Sequence, residues 1–168
     1  MRNIYLVGFM ATGKTVVGKL LARRLKKKFL DMDGRIEGHE GMRISDIFAQ
    51  KGESYFRVAE KRMVKEIADL SDCVVACGGG VVIDPENVAV LKKSGTLICL
   101  KADVKTIIAR TSGTTQRPLL NVDNPQEKIL ELLQKREGFY KQADYEIDTS
   151  RFTVEEVANR IIAMIKQA

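Results

Sequence analysis

Cysteine, histidine and proline are scarce: the 168 residues contain three cysteines, three prolines and one histidine. Cys73, Cys77 and Cys99 lie in apolar runs, and neither His39 nor a further cysteine stands at a zinc-binding spacing from them. A zinc site and a disulfide framework are therefore excluded, and reduced core thiols are expected. No apolar run is long enough to cross a bilayer. Met1-Arg2 and the apolar residues after it resemble the start of a leader, but a glycine-rich loop begins at Gly8, before any usable apolar region or cleavage site. A cytoplasmic protein without membrane contact is expected. Internal repeats and low-complexity tracts are also absent, so residues 1–168 read as one domain, large enough to bury most of its apolar surface without a disulfide or structural metal.

The formal charge of +6 admits a nucleic-acid partner, with Arg23, Arg24, Lys26, Lys27 and Lys28 as the densest basic run. No aromatic residues are interleaved there for base stacking, and Lys19, Arg23 and Lys26 fall opposite an apolar stripe. A solvated helix face, with no nucleic acid bound, is the better reading. An anionic substrate together with a nucleotide accounts for the basic balance equally well.

Chemistry enters at Gly8-Phe9-Met10-Ala11-Thr12-Gly13-Lys14-Thr15, which fits G-x-x-x-x-G-K-[ST] in full. The apolar run Ile4 to Val7 before it reads as a buried strand, and Val17, Leu21 and Leu25 after it make a helical stripe. Strand, loop and helix N-terminus together offer backbone N–H groups and the Lys14 ammonium to a phosphate chain, and Thr15 offers a hydroxyl to magnesium. A glycine turn that binds nothing need not end in Gly-Lys-Thr.

Further strand-like runs at Phe29 to Met32, Cys73 to Cys77, Thr96 to Leu100 and Tyr145 to Ile147 alternate with segments of helical period. That order predicts a three-layer α/β/α fold around a parallel five-stranded sheet. Ser45 is the expected cap of a helix from Asp46 to Lys51, Gly52 should interrupt, and a longer helix should run from Glu53 to Leu70. Thr153 and Glu156 form a capping box before the last helix.

In such a sheet ligands bind beyond the carboxyl ends of the strands, so the residues just past each strand are the ones to read for chemistry. The second strand delivers Asp31 and Asp33, which point the same way if the strand stays extended through Met32. One carboxylate can orient metal-bound water while the other takes the proton of an acceptor hydroxyl, although either can instead cap the next helix. The third delivers Gly78-Gly79-Gly80, where missing side chains let backbone lie against a ligand, unless it is only a flexible turn. In the long insertion between these strands, Arg57 and Glu60 stand three apart, so the glutamate can brace a guanidinium aimed at an anion, or be a surface pair. Thr111 to Asn124 lacks apolar periodicity and is long for a connection. Arg117 within it favours a lid over a solvated loop.

As an ordered set, these motifs resemble the shikimate kinase family. The carried residues are Gly8 to Thr15, Asp31-Met32-Asp33 with Ile36-Glu37, Ile47-Phe48, Gly52-Glu53 with Phe56-Arg57 and Glu60, Gly78 to Gly80, Arg117-Pro118-Leu119-Leu120, and Arg136 with Tyr140. The resemblance implies a nucleoside-monophosphate-kinase-like fold, with Asp33 to about Lys61 as the acceptor-binding part and Thr111 to Asn124 as the lid. It implies transfer of the γ-phosphoryl of ATP to the 3-hydroxyl of shikimate, with Mg2+, by a monomer. Gly8, Met10, Ala11, Thr12, Gly13, Lys14 and Thr15 would bind ATP, with Arg110 against adenine and Arg117 reaching the transferring group. Lys14 and Arg117 would be catalytic together with Asp33, the base. Thr15, and Asp31 through water, would hold the metal. Arg57 and Arg136 would grip the acceptor carboxylate, with Gly79 and Gly80 against its ring. Three positions depart from the family pattern: Ala11 stands for a glycine, so φ > 0 is not expected there; Gly138 stands for a proline, loosening the helix of Arg136; and Cys77 stands for a hydroxyl residue.

Overall fold

In the computed structural model of the chain, the described residues are 2–111 and 124–167. Five strands, β1 (Asn3–Val7), β2 (Lys28–Asp31), β3 (Cys73–Ala76), β4 (Gly95–Lys101) and β5 (Tyr145–Asp148), form one sheet in the order β2-β3-β1-β4-β5. Every pairing is parallel. The helices are α1 (Lys14–Leu25), α2 (Met32–Glu40), α3 (Ile44–Ala68), α4 (Pro85–Ser94), α5 (Val104–Thr111), α6 (Pro125–Tyr140) and α7 (Val154–Gln167), and a 3-10 turn spans Val81–Ile83.

The sheet is buried on both faces, and side-chain alternation separates two cores. Ile4, Leu6, Val74, Ile98 and Leu100 pack with Val17 and Leu21 of α1 and Val157 and Ile161 of α7. Tyr5, Val7, Val75, Leu97 and Cys99 pack with residues of α2 to α6, among them Ile36, Met63, Leu91, Ile107 and Leu132. Three layers result, as the strand and helix alternation predicts, and all three cysteines are buried. Each large aliphatic side chain so enclosed contributes about 1.5–3 kcal/mol.

Local expectations fare unevenly. The capping box before α7 forms: Glu156 Oε2 accepts from Thr153 N at 2.7 Å, and Thr153 Oγ1 accepts from Glu156 N at 3.3 Å. Gly52 does break α3, with φ 83° and ψ 169° inside the helix. Ser45, however, is not the cap. The helix starts earlier, at Ile44, and Glu37 of α2 accepts the Ile44 N–H at 2.9 Å, so a neighbouring helix satisfies the end. Met32 is not strand either, because Asp31 accepts from Gly34 N and turns the chain into α2 one residue early.

The basic run also departs from a single helix face. Arg23 and Arg24 end α1, whereas Lys26 is its left-handed cap at φ 55°. Lys27 folds onto Asp72, and Lys28 begins β2. No described helix is long and apolar enough to cross a membrane.

Candidate active site

Sheet register brings three loops together. Leu6 of β1 pairs with Ala76 of β3, which pairs with Asp31 of β2. The glycine-rich loop, the triple glycine and the Asp31 turn therefore leave the sheet side by side, and Cys77 N donates to Leu6 O at 2.9 Å to extend the ladder. This is the carboxyl edge where open parallel sheets bind ligands.

Residues 8–13 wrap the N-terminus of α1. Gly13 is the N-cap at φ 94°, no side chain caps the helix, and no acidic residue lies in its first turn. Its N-terminal dipole end suits an anion. Lys14 Nζ lies back over the loop, donating to Gly8 O at 2.9 Å and Phe9 O at 2.8 Å. Ala11 overturns its expectation, with φ at 60° in the left-handed region that costs an alanine about 1–2 kcal/mol.

Asp31 performs one of the tasks weighed for it, the cap, and adds a contact to the phosphate-loop threonine. One oxygen caps α2, and the other accepts from Thr15 Oγ1 at 3.4 Å. That pair of hard oxygen donors suits a magnesium ion that keeps several waters and takes its remaining ligands from phosphates. Among the described residues no group of three or more His, Cys, Asp or Glu side chains converges to hold a metal without such help.

Asp33 does not alternate with Asp31 along a strand, because it belongs to the first turn of α2. It nevertheless reaches the same edge, as the triple glycine shows. A Cβ on Gly78 would lie 2.9 Å from Asp33 Oδ1 and 3.2 Å from Glu60 Oε1. On Gly79 it would lie 3.5 Å from Gly8 O and 3.7 Å from Arg136 Nη1. On Gly80 it would lie 2.5 Å from Arg57 Nη1. Three consecutive glycines thus meet the carboxylates, the phosphate loop with one arginine, and the other arginine.

Arg57 is fixed from behind, and Arg136 is buried. Arg57 donates to Glu60 at 2.8 Å and to Glu53 at 2.9 Å, and its guanidinium lies 5.4 Å from the Phe56 ring, itself packed on Phe48. The Arg57–Glu60 brace foreseen from the sequence is present, with the glutamate only 2% exposed. Burial raises the Glu60 pKa, Arg57 opposes the rise, and Asp33 adds to it. Glu60 Oε1 has no hydrogen-bond partner among the described residues. Arg136 is buried on α6, which runs unbroken through Gly138. One turn on, Tyr140 donates to Gly79 O at 2.7 Å, and burial raises its pKa to about 12. The Cys77 thiol donates to Val75 O at 4.0 Å, its one hydrogen bond among the described residues, and burial pushes its pKa up.

Arg110, expected against adenine, donates to Ala11 O and to both the hydroxyl and carbonyl of Thr149. Thr149 was not foreseen. Reading the residue after β5 by the rule used for the other strands would have singled it out. Arg117 and the rest of the expected lid, 112–123, lie outside the described residues. His39 is exposed and lies 3.8 Å from Glu66, away from this edge.

The arrangement sets the glycine-rich loop, the Thr15–Asp31 oxygen pair, the Asp33 carboxylate and the guanidiniums of Arg57 and Arg136 at one edge of the sheet. Comparison with known proteins agrees. The sequence profile of the shikimate kinase family matches residues 10–166. Shikimate kinase of Thermodesulfovibrio yellowstonii is 52% identical over 162 residues, covering 96% of this chain and 94% of that protein. For shikimate kinase of Thermoanaerobacter pseudethanolicus the identity is 49%, over 96% and 95% of the two chains. The solved structure of shikimate kinase from Acinetobacter baumannii in complex with shikimate superposes with a TM-score of 0.95 at 38% identity, covering 99% of this chain and 94% of that one. Matched over nearly its whole length in sequence and in fold, this chain belongs to the shikimate kinase family.

Proposed function

We infer that the crevice transfers the γ-phosphoryl group of ATP to the 3-hydroxyl of shikimate, giving shikimate 3-phosphate and ADP. One observation carries the residue roles: the triple glycine meets Asp33, Arg136 and Arg57 in succession, with Gly8 of the phosphate loop beside the second. A base, a phosphate loop and two carboxylate-gripping cations are thereby within one small molecule's reach of each other.

Phosphoryl transfer needs positioning and charge neutralisation more than covalent chemistry. Asp33 holds the acceptor hydroxyl and takes its proton as the oxygen attacks phosphorus and ADP departs. Lys14 and the N–H groups of residues 8–15 take up the negative charge of the phosphate chain. Thr15 directly, and Asp31 through water, would hold Mg2+, which when bound neutralises charge on the β and γ phosphates. Arg57 and Arg136 together grip the carboxylate, selecting an acid over a neutral polyol, while Gly79 and Gly80 let the ring approach the backbone. A nucleotide and an anionic acceptor account for the +6 charge without nucleic acid. The cytoplasmic setting and monomeric state expected from the sequence complete the reading.

Release of ADP from magnesium-ATP, measured with shikimate, gluconate or nucleoside monophosphates as acceptor, tests it. Release that depends on shikimate is expected. Release with another acceptor alone would overturn the roles of Arg57 and Arg136 while keeping the phosphate loop.

A further inference from the structure

Two consecutive carbonyls of the phosphate loop are held from outside. Arg110 Nη1 donates to Ala11 O at 3.0 Å and to Thr149 Oγ1 at 3.2 Å, while Nη2 donates to Thr149 O at 3.1 Å. The Thr149 hydroxyl lies 3.0 Å from Thr12 O and 3.0 Å from Lys101 O. Lys101 O already accepts from Thr149 N at 2.8 Å, so the single hydroxyl proton is best used on Thr12. Thr149 is only 3% exposed, at the meeting point of β4, β5, α5 and the loop.

A trans peptide points its C=O and its N–H in opposite directions. Fixing Ala11 O and Thr12 O outward therefore turns the N–H groups of Thr12 and Gly13 inward, where a phosphate would lie. The same two contacts hold Ala11 at φ 60°, which an alanine resists when unconstrained. We propose that Thr149 and Arg110 are positioning residues for the phosphate loop, holding its N–H groups ready for the nucleotide before it arrives. Arg110 thus acts on phosphate binding through the loop backbone, a task separate from any contact with adenine. The proposal rests on the ATP-binding reading of residues 8–15.

The test is titration calorimetry with magnesium-ADP and with inorganic tripolyphosphate, which has no adenine, alongside thermal melts and the shikimate KM at saturating ATP. Wild-type protein that binds neither ligand would remove the ATP reading itself, an outcome separate from the proposal. Given wild-type binding, Thr149→Val should weaken both ligands about tenfold and leave the shikimate KM within about twofold, and Thr149→Ser should restore both affinities. Arg110→Gln, at an exposed position where folding is not at risk, should weaken tripolyphosphate and ADP by a similar factor. Loss of ADP affinity alone in Arg110→Gln would confine that residue to adenine and overturn its part. A Thr149→Val protein that melts earlier but binds both ligands normally, or a Thr149→Ser protein without recovery, would overturn the other.

Discussion

The guanidinium of Arg57 occupies the space that a side chain on Gly80 would need, with Nη1, Nη2 and Cζ at 2.5, 2.8 and 3.0 Å from the position of a Cβ. The backbone of Gly80, at φ −102° and ψ −1°, would suit any residue, so the constraint is steric. Gly80→Ala should push Arg57 off the acceptor carboxylate. A rise in the shikimate KM of about tenfold or more is expected, the scale of one charge-assisted hydrogen bond, with ADP affinity nearly unchanged. Steady-state kinetics with each substrate varied in turn reads the split, and equal loss for both substrates would contradict it.

Asp33 and Glu60 are the carboxylates nearest Gly78, and Glu60 pairs with Arg57 through its other oxygen. Asp33→Asn should keep nucleotide binding and lower kcat by about two orders of magnitude, as expected for loss of a general base. Calorimetry with ADP and turnover under saturating substrates check both halves. Near-normal turnover would reduce the aspartate to a helix-terminus residue.

Glu60 should make acceptor use sensitive to acid. The charged groups acting on it are Arg57 on its own helix, Asp33 on α2 and Arg136 on α6, with Glu53 on the far side of Arg57. Because burial raises its pKa, the folded protein binds the Glu60 proton over a window where the unfolded chain has released it. The associated stability is complete below the ordinary glutamate range and is lost as pH rises through the folded-state value. For activity the sense is reversed, since a proton on Glu60 weakens its hold on Arg57. The kcat/KM for shikimate should therefore fall on acidification before ordinary glutamates titrate, and Glu60→Gln should give a lower value without that limb. An unchanged pH profile in the variant would assign the limb elsewhere.

Gly138 lies inside α6, and among the described residues nothing outside the helix's own backbone lies within 4 Å of where its Cβ would sit. Gly138→Ala should stabilise the protein by about 0.5–1 kcal/mol, because an exposed helix position gains from a lower unfolded-state entropy. A thermal melt should shift upward by about 1–4 °C. Arg136 and Tyr140 flank this position on the same helix, so the shikimate KM of the variant also reports whether glycine there serves mobility.

Much of this molecule was legible before any coordinates, for a physical reason. Strand and helix alternation, the glycine-rich loop, the Thr153–Glu156 box and the break at Gly52 depend on residues within a turn or a strand of each other. The family resemblance extends this, since it proposes a shared role for residues far apart in sequence, Arg57 and Arg136. Failures came where a local signal was overridden by a distant group. Ser45 lost the cap to Glu37, and Ala11 was driven to positive φ although its residue type argues against it.

The sequence by itself determined the chemistry on offer: a phosphate loop, a pair of aspartates, a triple glycine and the arginines. Only the tertiary structure decided how these meet, because strand register sets which loops leave the sheet side by side, and register depends on two buried faces packing at once. The Thr149 hydroxyl lies 137 residues from the carbonyl of Thr12 that it reaches, across two paired strands. No local propensity encodes that contact, which exists because β4 and β5 carry their ends to the same edge as β1.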